Sequence, residues 1–361
     1  MVWKPFRFVA GDLVEVLSKE EILSTLDQHG CVEGMPFMPE MLQFCGKQFR
    51  VRAVAHKTCD TVHRTGSRRL RSTLHLADLR CDGSAHGGCQ AECSLFWKNV
   101  WLKPATGSER DAEKIKSNSH SPGCTEPGLY TNARLSEGPI GGESRYACQA
   151  TKLYEATEPL ALWNPRQYVL EVVTGNRSYR RVLRIAFLGT LRWMVLQVPC
   201  GYRVLKCFTD YMHERLLGRK SPSLWGRIDI GKPTPTGRLD LKSGEYVRIR
   251  SQEEIEQTLD RDGKNRGLGF DSEEMAPYCG QLARVRGRVT KIIDEATGIM
   301  REMKQPCIVL EGVMCSGDYA SHKLLCPRAI HAYWREIWLD RITNVNSERQ
   351  RNPEIAVEQN R

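Results

Sequence analysis

The chain has 361 residues, 14 of them cysteine, and a net charge of +10. That length supports two or three domains with cores of their own, so the cysteines are not needed as staples. No run of eighteen uncharged apolar residues occurs, and the nearest approach, VLRIAFLGTLRWMVLQV, is broken by Arg184 and Arg192, which excludes a membrane-spanning helix.

The opening MVWKPFRFVAGDLVEV lacks the apolar core of a signal peptide and passes straight into strand-like alternation. A cytoplasmic protein is expected, in which cysteines serve metal binding or burial rather than disulfides. Within the first module, residues 1–104, DLVEV reads as a half-buried strand and SKEEILSTLD as a short helix with Ser18 as N-cap and Glu21 three residues on. CGKQFRVRAVA, the run ending LHLADLRC, and FWKNVWLKP supply further strands separated by Gly and Asp turns.

Residues 105–165 are rich in Gly, Ser, Pro and charge and read as an irregular linker that carries Cys124 and Cys148. From 166 to 218 the pattern turns helical, NRSYRRVLRIAFLGTLRWMVLQV and YRVLKCFTDYMHERLLG flanking a Pro199-Cys200-Gly201 break, as in a basic amphipathic helical hairpin. A linker over 219–242, with GKPTPTG, precedes a second module at 243–342, and a polar tail covers 343–361.

Residues 10–104 and 243–342 are two copies of one unit. AGDLVEVLSKEEILSTLDQHGCVEGMPFMPEMLQFCGKQFRV lies over SGEYVRIRSQEEIEQTLDRDGKNRGLGFDSEEMAPYCGQLARV, and both copies close on a Trp-rich strand, FWKNVWLKP and YWREIWLDR. Several short strands and one helix per hundred residues predict an α+β fold of two SH3-like small β-barrels in tandem.

The second module spaces its ligand-type residues as Cys307-x7-Cys315-x6-His322-x3-Cys326, and the first as Cys81-x7-Cys89-x3-Cys93. Zinc takes four soft or borderline donors in a tetrahedron, and an iron-sulfur cluster takes mostly thiolates, so three Cys and a His suit either. Aligning Cys81 with Cys315 sets Cys89 and Cys93 against His322 and Cys326, a ligand-like x3 pair in both copies. Thr73 aligns with Cys307, so the first module needs a fourth donor from elsewhere: Cys59, His75 or His86, of which Cys59 is preferred. The bland alternative is burial, since Cys packs as a small hydrophobe; Cys45 and Cys279, each in a Cys-Gly turn before a strand, and Cys31, Cys200 and Cys207 are read that way.

FDSEEMAPYCG and YWREIWL, with FMPEMLQFCG and HGGCQAEC in the first module, resemble an uncharacterised family of bacterial proteins that share this tandem layout over nearly the whole chain. The resemblance implies no activity; its members often carry Cys where this chain has His322, which fits a ligand exchange. CDGSAH also resembles the CDGSH signature of small [2Fe-2S] proteins, with Ala85 inserted before His86 and no Cys-x-Cys upstream.

Residues 166–242 hold 15 Lys or Arg against 5 Asp or Glu, the whole of the net charge. Arg177, Arg180, Arg181 and Arg184 fall on one helical stripe beside Leu183, Phe187, Leu188, Leu191, Trp193 and Leu196. Such a helix either lies on an anionic membrane surface, here the inner membrane, or packs its apolar face on the modules. Nucleic acid is not expected, because both modules are near neutral. No phosphate loop, His-Glu-x-x-His or nucleophile elbow occurs. The expected function is therefore non-catalytic: a zinc-binding scaffold for protein partners. The alternatives are an iron-sulfur protein in electron transfer and a membrane-surface adaptor, with no small-molecule substrate indicated.

Overall fold

A computed structural model of the chain describes residues 7–105, 123–136, 143–197, 202–217, 226–318 and 323–343. Helix and sheet are mixed throughout, an α+β fold. The chain forms two compact units, the first of Met1–Leu205, Lys291–Arg301 and Ser316–Ala329, the second of Lys206–Thr290, Glu302–Cys315 and Ile330–Arg361.

In the first unit a five-stranded sheet runs in the order Trp97–Lys98, Thr73–Leu76, Gln48–Val54, Leu13–Val16, Leu102–Pro104. Leu13–Val16 alternates, so Val14 and Val16 are buried. Ser18 then caps the helix Lys19–Thr25: its hydroxyl accepts the Glu21 N–H at 3.2 Å, and the Glu21 carboxylate accepts the Ser18 N–H at 2.8 Å. The capping box satisfies two end donors in a helix of seven residues, and Ile22 anchors it to the core. Phe37 stands edge-on to Trp101, ring centroids 5.1 Å apart, and to Trp97 at 6.2 Å. These fully buried aromatics form the centre of the core.

The second repeat builds this plan strand for strand: His331–Trp334, Met300–Met314, Leu282–Ile293, Tyr246–Ile249, Leu339–Arg341. Ser251 and Glu254 rebuild the capping box, and Phe270 meets Trp338 and Trp334 edge-on at 5.6 and 6.2 Å. Duplication thus reaches cap, core aromatics and strand order. Among the described residues no ladder joins the two edge strands of either sheet, so the closed barrels expected from the sequence are not found.

The described parts of 105–165 are ordered rather than irregular. Glu126–Ala133 and Gln149–Lys152 are helical, Leu129, Leu153 and Cys124 enter the first core, and Glu158–Leu160 pairs with Ser67–Arg69. The buried Gln149 amide holds the segment down, accepting the Phe96 N–H at 2.8 Å and donating to the Phe96 and Pro36 carbonyls.

Among the described residues the basic region holds three helices, Arg166–Val173, Tyr179–Gln197 and Tyr202–Leu217. Val182 and Ile185 of the second pack on Leu324 and Leu325, so part of its apolar face belongs to a core. Among the described residues no helix is long and apolar enough to cross a membrane.

Candidate metal centre

Cys81 and Cys93 sit across from each other where the chain doubles back. Arg80 bridges Ser94 antiparallel, and the Cys81 N–H donates to the Cys93 carbonyl at 2.9 Å. The turn between them tightens at Gly83, whose φ of +70° and closeness to the Cys89 backbone exclude a side chain. The Gly83 carbonyl accepts the N–H groups of His86 and Gly88, which leads the chain to Cys89. Cys148 arrives from the segment read as a linker, immediately before the helix Gln149–Lys152, its N–H bonded to Thr151 Oγ1 at 2.9 Å.

Cys81, Cys89, Cys93 and Cys148 line one cavity of about 30 Å³, room for one ion or water. Burial pushes the Cys93 thiol up to about 12 and Cys148 up to about 11, and Cys81 well above the usual range. At Cys81 the Glu40 carboxylate adds to this, with Cys93 and Cys148 behind it; at Cys93 the Arg328 guanidinium opposes it, while Glu295, Cys148 and Cys89 add to it. The Ile293 N–H donates to Cys89 Sγ at 3.4 Å, the kind of backbone contact that stabilises a thiolate. No three of the four sulfurs lie within 4.8 Å of one another, wider than the separation of about 3.8 Å that a tetrahedral zinc site with Zn–S near 2.3 Å requires.

The one set of three ligand-type atoms within 4.8 Å among the described residues is Glu40, Cys81 and His86. Hydrogen bonding accounts for His86 there. Its Nε2 bonds the Ala147 carbonyl at 3.0 Å, which only accepts, and its Nδ1 lies 2.6 Å from Glu40 Oε1. Both ring nitrogens are engaged, so the imidazole has no lone pair left for an ion. Glu40 Oε1 also accepts the Ala85 N–H at 3.0 Å, and the buried pair braces the Gly83 loop.

Cys59, preferred as the fourth donor, does not line this cavity. It lies with Cys326, its N–H donating to Cys326 Sγ at 3.2 Å. The Cys59 thiol hydrogen bond, the backbone N–H groups of Arg328 and Cys59 and the Arg328 guanidinium hold Cys326 below the usual thiol range against the effect of burial. Arg328, itself buried, pairs with Glu295 at 2.7 Å. The other alternative, His75, is buried elsewhere with Nδ1 on the Leu95 carbonyl at 2.9 Å.

The hydrogen-bond register corrects the repeat alignment. Cys81 N–H to Cys93 O is matched by Cys315 N–H to Ile330 O; Gly88 N–H to Gly83 O by Leu325 N–H to Gly317 O; Cys89 N–H to His86 O by Cys326 N–H to Lys323 O. Gly83 crowds Cys89 as Gly317 crowds Cys326, and positive φ recurs at Glu92 and Ala329. Cys326 is therefore the counterpart of Cys89, and Ile330 that of Cys93. His322, which spacing suggested as the exchanged ligand, lies outside the described residues.

Cys307 and Cys315 are also apart. Cys307 Sγ is 3.6 Å from the Arg335 guanidinium and Cys315 bonds to Ile330, and those partners flank opposite ends of the strand His331–Trp334. Cys45 and Cys279 pack half-buried against the two cores, as their bland reading had it. None of the described cysteines is disulfide-bonded.

The arginine stripe divides. Arg177 bonds Glu171 at 2.8 Å and Asp318 at 3.1 Å, and Arg181 also pairs with Asp318; Arg180 lies over the Tyr179 ring and Arg184 is half-buried. No protein-family model matches the chain, and no curated protein matches it.

Proposed function

We propose that the protein is a non-catalytic zinc-binding protein whose two modules serve as platforms for protein partners. The observation that carries this reading is the convergence of Cys81, Cys89, Cys93 and Cys148 on one cavity the size of an ion. Four thiols are a donor set that zinc favours. Rotation of the cysteine side chains about χ1 would draw the sulfurs inward around it. The metal would add folding energy to this loop, Gly83 and the Glu40–His86 pair shaping it in advance.

We read each module as a small barrel of SH3 type. The edge strands are consecutive in the chain, with a 3₁₀ turn, Asn99–Trp101 or Glu336–Trp338, between them. Three such residues rise about 6 Å, whereas a flat sheet of five strands is about 19 Å from edge to edge. Curling of the sheet reconciles the two.

The wide setting of the sulfurs favours a second reading, an iron-sulfur cluster with the same ligands. Anaerobic purification with zinc, iron and sulfide measured on one sample separates them. A colourless protein with zinc bound in proportion to chain supports the first; a brown protein with iron and labile sulfide supports the second. Absence of all three returns the thiols to packing.

A further inference from the structure

The two modules treat one buried cation differently. In the first, Lys98 is buried on the strand before the 3₁₀ turn, and its ammonium donates to the Glu33 carboxylate at 2.6 Å and the Arg71 carbonyl at 3.0 Å. Glu33 occupies the positive-φ position of the hairpin between Cys31–Val32 and Met35–Pro36.

In the second module Arg335 takes the place of Lys98, between Trp334 and the turn Glu336–Trp338, and it too is buried. The counterpart of Glu33, at φ +47° in the hairpin Lys264–Asn265 and Leu268–Gly269, is Arg266. Arg335 donates to the carbonyls of Gln305 at 2.7 Å, Arg266 at 3.0 Å, Asn265 at 3.3 Å and Pro306 at 3.4 Å. Among the described residues no carboxylate pairs with it. Carbonyl dipoles satisfy its hydrogen bonds without cancelling its charge, and a buried charge calls for a counter-charge. Burial raises the neighbouring Cys307 thiol, so that group stays neutral at pH 7 and supplies none.

Arg335 borders a cleft of about 380 Å³ that Arg238, Arg288, Gln305 and Glu336 also line, within the roughly 300–1,000 Å³ of small-ligand sites. Glu336 is already committed, to Arg288 at 2.5 Å and to the N–H groups of Leu239 and Leu241 at 2.9 and 3.0 Å. Arg238 stands at the surface with Asp240. The Arg266 side chain turns aside to the Thr234 carbonyl at 2.9 Å. The unmatched charge facing the cleft is that of Arg335.

We propose that this cleft binds a small molecule through an oxyanion, a phosphate or carboxylate that gives Arg335 the counter-charge Glu33 gives Lys98. A guanidinium has five N–H donors; the four carbonyls take four of them, which leaves one N–H of Nη2 and the uncancelled charge for either oxyanion. The thiol cluster shares no residue with this site.

The test is calorimetric titration and thermal unfolding of the full chain with inorganic phosphate, pyrophosphate and citrate, against potassium chloride at equal ionic strength. Saturable binding is expected, with Tm raised by about 5 °C at ligand a hundredfold above Kd; a phosphate or a carboxylate response names the class. Arg335 is too deeply bonded to remove without risk to the fold, so the informative variant is Arg266→Glu, which restores the carboxylate of the first module. It is expected to raise Tm without ligand and to weaken anion binding at least tenfold. Arg238→Ala is expected to weaken it about threefold and leave the unliganded Tm unchanged. Responses no greater than chloride for all three anions, or unchanged affinity in Arg266→Glu, would overturn the proposal.

Discussion

Gly83 faces the backbone of Cys89 so closely that a Cβ built on it would stand 2.1 Å from the Cys89 carbonyl oxygen. The contact is to backbone, so no side chain can yield to relieve it. With φ at +70° as well, Gly83→Ala is expected to cost about 2 kcal/mol or more and to lower zinc content in the same preparation. Urea unfolding and metal analysis check both.

The ligand assignment is tested by a pair of variants. Cys148→Ser is expected to weaken zinc binding at least a hundredfold in competition with a chelator, because it removes one of four donors. Cys59→Ser, outside the cavity, is expected to leave it unchanged. The opposite ranking would restore Cys59 as the fourth ligand.

Lys57 predicts a pH dependence. Fully buried beside Gln167, its ammonium is pulled down to about 8 by desolvation, against the attraction of Glu171. In the unfolded chain it loses its proton near 10.4, so between about 8 and 10.4 the unfolded state binds more protons and this group's contribution to stability rises with pH. Below pH 8 the buried charge destabilises by about 3 kcal/mol. Lys57→Met is accordingly expected to be more stable than the parent by about 1–2 kcal/mol at pH 7, after loss of the Gln167 hydrogen bond, with the gap closing toward pH 10. Urea unfolding of both proteins across pH 7–10 measures it.

Arg177 is expected to matter for folding rather than for a partner. Replacement by Gln takes one cation from Glu171, which keeps its bond to His56, and one from Asp318, which keeps Arg181, and breaking a buried pair from one side costs about 3–5 kcal/mol. Arg180→Gln, at the surface, is expected to change stability by less than about 0.5 kcal/mol. Thermal unfolding of the two variants side by side shows whether the stripe acts as one surface.

Local rules carried much of the fold. Ser18 with Glu21 and Ser251 with Glu254 announced both helices, and the aligned Trp-rich segments FWKNVWLKP and YWREIWLDR announced two equivalent modules. The candidate metal centre was harder to read, for two physical reasons. Cys148 comes 55 residues after Cys93, and spacing carries no signal for a ligand brought in by tertiary packing. The second module also lengthens the loop between its first two cysteines, x10 from Cys315 to Cys326 against x7 from Cys81 to Cys89. Counting from the far end therefore selected an x3 pair that is not the structural equivalent. Backbone conformation preserves the register where residue identity does not, Leu325 holding the positive φ of Gly88.

The first compact unit is assembled from three stretches of chain, two of which, Lys291–Arg301 and Ser316–Ala329, are encoded inside the second repeat. Ile293, whose N–H meets Cys89 Sγ, is among them. A gene cut at the repeat boundary would therefore make a first half that lacks part of its own body, and a second half carrying segments with no host.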